Sequence, residues 1–145
     1  MSKTLTVSCV QMHWARDLAY NLATTKHFIA QAAAAGSRVV LFPETSLTSY
    51  YFPYAVTLSP EEVHNALQET AAEARRHNLY VIAGTLRKTH DRHLNIAHVI
   101  APQGEIIHEY AKIQMAGRDE KQYCRGGNKL SLFEIDGILC TLVIC

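Results

Sequence analysis

Short β-rich runs alternating with helix-spaced runs constrain this 145-residue chain more than any other feature. Residues 4–11 alternate, with Leu5, Val7 and Cys9 on one face, and read as a strand. Residues 17–35 carry helical spacing: Leu18, Leu22, Ile29 and Ala33 mark one face, Thr25 fills a gap, and Gly36 supplies the stop. Residues 38–42 form a short buried strand ended by Pro43, which has no N–H for a sheet ladder. A long loop follows over 44–58, rich in aromatics at Tyr50, Tyr51, Phe52 and Tyr54. Ser59-Pro60-Glu61-Glu62 then opens a second helix, with Ser59 as N-cap, Pro60 at the first helical position and Glu62 closing a capping box. Val63, Leu67, Ala71 and Ala74 are its buried face and Asn78 its stop; residues 80–83 are a third strand, with Gly84 after it.

The rest reads as β-structure. Residues 94–101 and 105–112 flank a Pro102-Gln103-Gly104 turn and form a hairpin. Residues 117–128 are a polar, glycine-rich loop with room for one helical turn. Residues 131–135 and 138–144 are two more strands across an Asp136-Gly137 turn. Strand, helix, strand, helix, strand implies a layered α/β domain with helices packed on a sheet. The length fits one domain, residues 1–145, and no repeat or linker divides it.

Charge narrows the function. A formal net charge of +1 gives no electrostatic case for nucleic acid or an anionic membrane surface. No run approaches the roughly 18 apolar residues of a membrane span. The start, MSKTLTVSCVQM, lacks the layout of a signal peptide, so the expected location is cytoplasmic, where thiols stay reduced. Cys9, Cys124, Cys140 and Cys145 form no C-x-x-C pair and have no histidine at zinc-finger spacing, so no metal site is expected.

Four residues carry the candidate chemistry. Glu44 lies just past the end of a buried strand, where ligand sites of α/β sheets sit, and a carboxylate beside an aromatic loop suits a base. Lys112 ends a hairpin strand, Glu120 lies in the charged stretch 118–121, and Cys145 follows Leu142-Val143-Ile144. Taken singly, each has an ordinary reading: solvated loop glutamates, a solvated lysine, a core cysteine. Taken together, a cysteine, a carboxylate base and a cation supply what nucleophilic catalysis needs.

Further motifs stand in order: Val10-Gln11, Asn21-Leu22, the alanine-rich helix end to Gly36, and the strand that ends in Pro43-Glu44. Leu47-Thr48-Ser49-Tyr50, Asn95, Pro102 to Gly104, Tyr110-Ala111-Lys112, Glu120, Gly127 and Ile144-Cys145 follow. In this order and spacing they resemble the nitrilase, or carbon–nitrogen hydrolase, superfamily. Ser49 stands where the family usually has glycine, Ala111 where arginine is frequent, and Thr141 at a position often glycine.

The resemblance implies an αββα sandwich, of which this chain carries the N-terminal half to two-thirds. It implies hydrolysis of an amide, carbamoyl or nitrile carbon–nitrogen bond through a cysteine thioester, amidase chemistry before nitrilase. Glu44, Lys112 and Cys145 map onto the catalytic triad, Glu120 onto its supporting glutamate, and Tyr50 onto the substrate side. No metal or organic cofactor is implied. The expected partners are a small-molecule amide or nitrile and a second copy of the complete chain, with no nucleic acid or membrane. The family continues well past its cysteine, so activity is expected to need further chain. Two other readings stay open: an inactive remnant left by a premature stop, or a subunit completed by another chain; and a small α/β binding module using residues 50–54.

Overall fold

A computed structural model describes residues 4–145; the first three residues of the N-terminal stretch read above lie outside the described residues. In chain order the elements are β1 (Val7–Cys9), α1 (Leu18–Ala34), β2 (Val39–Leu41), α2 (Phe52–Ala55), α3 (Pro60–His77), β3 (Tyr80–Lys88), β4 (His93–Ile100), β5 (Ile106–Ala111), α4 (Arg118–Tyr123), β6 (Leu132–Ile135) and β7 (Ile138–Thr141). Among the described residues the strands form a five-stranded sheet, β1-β2-β3-β4-β5, and a separate β6–β7 pair. The pairs β1–β2 and β2–β3 are parallel, while β3–β4 and β4–β5 are antiparallel. The parallel steps are the two strand–helix–strand crossovers read from the sequence.

The sheet is covered on both faces. Helices α1 and α3 pack on one, burying Ile29, Val40, Leu67, Ala74, Val81 and Ile100 in a common core. The β6–β7 pair packs on the other, where Phe133 and Ile135 meet Val39, Ile82, Ala97 and Val99. Its turn is pinned to the sheet edge by Arg38, whose guanidinium donates to both carboxylate oxygens of Asp136 at 2.5 and 3.0 Å. This fork-to-carboxylate geometry fixes direction as well as distance. Asp136 and Gly137, at φ 49° and 73°, make the tight left-handed turn that Asp-Gly favours.

Helix α3 follows its sequence signals closely. Ser59 and Glu62 form the capping box, Pro60 opens the first turn, and Asn78 closes the helix at φ 54°. Other expectations are corrected. The buried stripe of α1 is Asn21, Thr25, Ile29 and Ala32, with Leu18, Leu22 and Ala33 only partly covered. Asn21 can go inside because its amide bonds the Ala15 backbone and the Leu47 carbonyl. Of the alternating face 5, 7, 9, Leu5 is partly buried against the β6–β7 core while Val7 and Cys9 on β1 are exposed. The aromatic loop contains the short helix α2 and a buried polar turn, Thr45 to Ser49.

Gly84 does not end β3, which runs on to Lys88. The glycine is there because another backbone crosses it: a Cβ at Gly84 would lie 2.3 Å from the Thr45 amide nitrogen. Gly84→Ala should therefore destabilise the fold by about 2 kcal/mol or more. Urea unfolding checks this; an unchanged midpoint would contradict the close approach.

Candidate active site

The sheet brings one end of four strands together. Glu44 follows β2, Asn95 lies near the start of β4, Lys112 directly follows β5, and β3 lies between β2 and β4. Because β4 runs against its neighbours, its beginning meets the ends of β2, β3 and β5 at the same edge. The Lys112 backbone is fixed on both sides: its N–H donates to the Asn95 carbonyl at 2.8 Å, and its carbonyl accepts from Gly127 at 2.8 Å. Gly127 permits that approach, since a Cβ there would lie 2.4 Å from the Ala111 carbonyl oxygen.

Lys112 is not the solvated lysine that its residue type suggests: it is 0% exposed. Its Nζ donates to Glu44 Oε1 at 2.6 Å and to Glu120 Oε2 at 2.9 Å. Glu120, expected on a solvated loop, is 1% exposed. Helix α4 turns it inward, and the Ala116 N–H donates to its Oε2 at 2.6 Å. Burial works against the ammonium charge, but the hydrogen bonds and charges of Glu44 and Glu120 outweigh it and raise the Lys112 pKa above its ordinary value. Lysine here is a fixed cation.

Asn95 completes the cluster. Its amide nitrogen donates to Glu44 Oε1 at 2.5 Å and to Glu120 Oε1 at 3.0 Å. Two carboxylates accept only, so they settle which end of the amide faces them. Its own Oδ1 is left buried without a partner among the described residues. Orphaning an acceptor in this way costs about 1–3 kcal/mol. In the sequence Asn95 stood out only as part of the motif order; its contact with both carboxylates had no sequence signal.

Cys145 is exposed and free, and it lines a cavity of about 190 Å3 with Glu44, Pro43, Gly84, Ala97 and Leu142. Leu142 and Ile144, partly buried, pack against the core under β6–β7 and bring the chain to that position. Tyr50 lines a neighbouring cleft with Phe52, Arg118 and Glu120. Its ring packs on Phe52 at 5.1 Å. Burial pushes the Tyr50 phenol pKa up, and the charges of Glu44, Glu120 and Cys145 push the same way against Lys112. Cys124 is buried beside the cluster, and burial pushes its thiol up to about 12, so it stays protonated at neutral pH. Among the described residues, no group of three or more His, Cys, Asp or Glu is placed to hold a metal, and no helix is long and apolar enough to cross a membrane.

A second buried polar group lies on the helix face. His98 Nε2 meets Thr85 Oγ1 at 2.8 Å and its Nδ1 meets Glu109 at 3.0 Å, while Arg87 donates to Glu109 at 2.7 Å. The sequence reading placed His98 and Glu109 in strands and gave Thr85 and Arg87, beyond the expected strand end at residue 83, no position or role.

The carbon–nitrogen hydrolase family model matches residues 6–145. The chain is 28% identical to the 2-oxoglutaramate amidase of Bacillus subtilis (strain 168), over 97% of this chain and 55% of that protein. It is 30% identical to an arylacetonitrilase of Macrophomina phaseolina (strain MS6), over 68% of this chain and 32% of the relative. Among solved structures, an amidase from Nesterenkonia sp. superposes with a TM-score of 0.89 at 21% identity, over 97% of this chain and 55% of that one. A mutant of the amidase from Nesterenkonia sp. AN1, solved after Michael addition of acrylamide at its active-site cysteine, matches with a TM-score of 0.89 at 20% identity. The mixed α/β fold is therefore the nitrilase fold in part, and the chain spans about half the length of the curated relatives it matches.

Two outcomes are expected. Lys112→Met leaves two carboxylates facing each other, so the fold should lose about 3–5 kcal/mol in urea unfolding and one carboxyl should take up a proton. A loss under about 1 kcal/mol would contradict the buried pair. Glu109 is held down to about 2, by His98 first and, against burial, by Arg87. A depressed carboxylate contributes stability above its unfolded value of about 4.3 and loses it as pH falls toward the folded one. The stability difference between wild type and Glu109→Gln should therefore shrink between pH about 4.3 and about 2.

Proposed function

The chain belongs to the carbon–nitrogen hydrolase family, and we propose that it is the N-terminal part of an amidase-type enzyme acting on small-molecule amides through a Cys145 thioester. One observation carries this reading: a wholly buried lysine is clamped between two carboxylates, and one of these lines the same cavity as an exposed cysteine. A structural ion pair has no need of a thiol beside it. The relatives named for amidase activity support an amide substrate, and a neighbour with acrylamide joined to its active-site cysteine by Michael addition supports a nucleophilic thiol in this fold.

The two carboxylates divide the work by their free lone pairs. Glu120 accepts at both oxygens, from Asn95 on one and from Lys112 and Ala116 on the other. It acts as a fixed counter-charge. Glu44 accepts its contacts at Oε1, from Lys112 and Asn95. Its second oxygen suits proton transfer. Glu44 takes the Cys145 proton, and the thiolate attacks the amide carbon. The carbonyl electrons move onto oxygen, where Lys112 offers a positive charge. The tetrahedral species collapses, the C–N bond breaks, and the proton on Glu44 goes to the departing nitrogen as ammonia or an amine. Water then gives its proton to Glu44 and adds to the thioester. That second intermediate releases the carboxylic acid and returns the proton to sulfur.

Tyr50, beside Glu120 in the adjoining cleft, suits the role of a wall against the substrate's acyl side. Residues 6–145 act in one domain with further chain, in line with the half-length match to the relatives. The outer face of the β6–β7 pair and the segment after it expose Leu132, Leu139 and Val143 at 63–67%, as a surface meant for packing would. The complete domain would also be the form that pairs as a homodimer and works in the cytoplasm.

In the protein carrying this chain at the length of its relatives, Cys145→Ala should cut ammonia release from amides by about a thousand-fold or more. Glu44→Gln should cut it by about a hundred-fold or more. The 145-residue chain alone should release none. Undiminished release after Cys145→Ala would sink the reading.

A further inference from the structure

The hydrogen bonds at Glu44 are one-sided, and Asn95 makes them so. Glu44 Oε1 receives two short contacts, 2.6 Å from Lys112 and 2.5 Å from Asn95, while no donor among the described residues is assigned to Oε2. A lysine alone would not enforce this, because an ammonium is a compact charge that can serve either oxygen. The planar Asn95 amide is different. It is 0% exposed, it sits on β4, and its nitrogen is drawn to both glutamates at once. Asn95, Ala97 and Val99 alternate onto the sheet face that carries the Cys145 cavity, so the amide approaches Glu44 from the strand side. Its buried Oδ1 has no partner among the described residues, an arrangement that packing alone would not favour.

We propose that Asn95 is a positioning residue for the base: with Lys112 it ties down Oε1 of Glu44 and leaves Oε2 as the oxygen that exchanges protons with Cys145 and substrate. The inference rests on the proposed thioester chemistry and deepens it. Asn95 touches neither substrate nor sulfur in this role. It sets the rotation of the Glu44 carboxylate through the 2.5 Å contact to Oε1. The ionisable groups facing or acting near Glu44 are Lys112, Glu120, Tyr50, Cys145 and Cys124. None of them offers a second neutral N–H donor in place of Asn95.

The test uses three variants of the active protein: Asn95→Ala, the near-isosteric Asn95→Asp, and Glu44→Gln as reference. Asn95→Ala should lower kcat about ten-fold or more while KM stays within about two-fold, and should move the acidic limb of kcat/KM upward by about one pH unit. Asn95→Asp keeps the shape but sets a third carboxyl against Glu44 and Glu120, and should move that limb further. The rate of iodoacetamide alkylation at Cys145, followed by peptide mass, should shift in the same direction. In wild type, the Asn95 side-chain amide protons should titrate in NMR spectra with the midpoint of that acidic limb, a readout that needs no substitution. An acidic limb unmoved in both Asn95 variants, or amide protons silent to the titration, would overturn the positioning role. If Glu44→Gln itself left hydrolysis and alkylation unchanged, the thioester reading would fail instead, so the two failures are distinguishable.

Discussion

The structure turns on keeping one ammonium charge out of water. Stripping an ion of its hydration costs several kcal/mol even after the surroundings relax, so a wholly buried lysine persists only with close opposite charge and good hydrogen-bond geometry. Lys112 has both, from Glu44 and Glu120. Those two carboxylates would repel each other without it, and each needs further N–H donors. Asn95 serves both, and the Ala116 amide serves Glu120. Each member of the cluster comes from a different segment, so the cluster forms only when β2, β4, β5 and α4 are all in place.

That demand reaches into the rest of the fold. The turn after Glu44 runs directly over β3, where Gly84 has no side chain to block it. Leu47 donates to the Gly84 carbonyl, and the Ser46 and Thr48 hydroxyls accept from the Gly84 and Leu86 amides. These contacts satisfy polar groups that would otherwise be buried and orphaned, and they hold the turn after Glu44 against the sheet. On the opposite side, Arg38 and Asp136 seat the β6–β7 pair, which carries the chain to Cys145. Cys145 and Glu44 thus arrive from two separate packing arrangements and share one cavity.

Much of this was legible in the sequence, and the gaps have physical causes. Helix α3 was readable from end to end because capping chemistry is local: Ser59, Glu62 and Asn78 act within a few residues. The strand–helix alternation gave the layered sheet for the same reason. The end of β3 was misread because Gly84 resembles a stop, whereas the glycine answers a neighbouring backbone forty residues away in the chain. The face of α1 was misread because Asn21 is inside, made tolerable by partners at Ala15 and Leu47 that spacing cannot reveal. Lys112 and Glu120 looked solvated by residue type. Only the order of motifs marked them, since burial of a charge depends on tertiary partners. Asn95 was visible as a motif member, but its two carboxylate contacts cross the sheet and leave no trace in local pattern.

Mass spectrometry of the full-length protein, quenched in acid during turnover of a small amide, tests the Cys145 thioester most directly. An added acyl group, the amide less ammonia, is expected on the peptide ending at or spanning Cys145, and not on the peptides bearing Cys9, Cys124 and Cys140. Full-rate ammonia release with the label on another residue would contradict it.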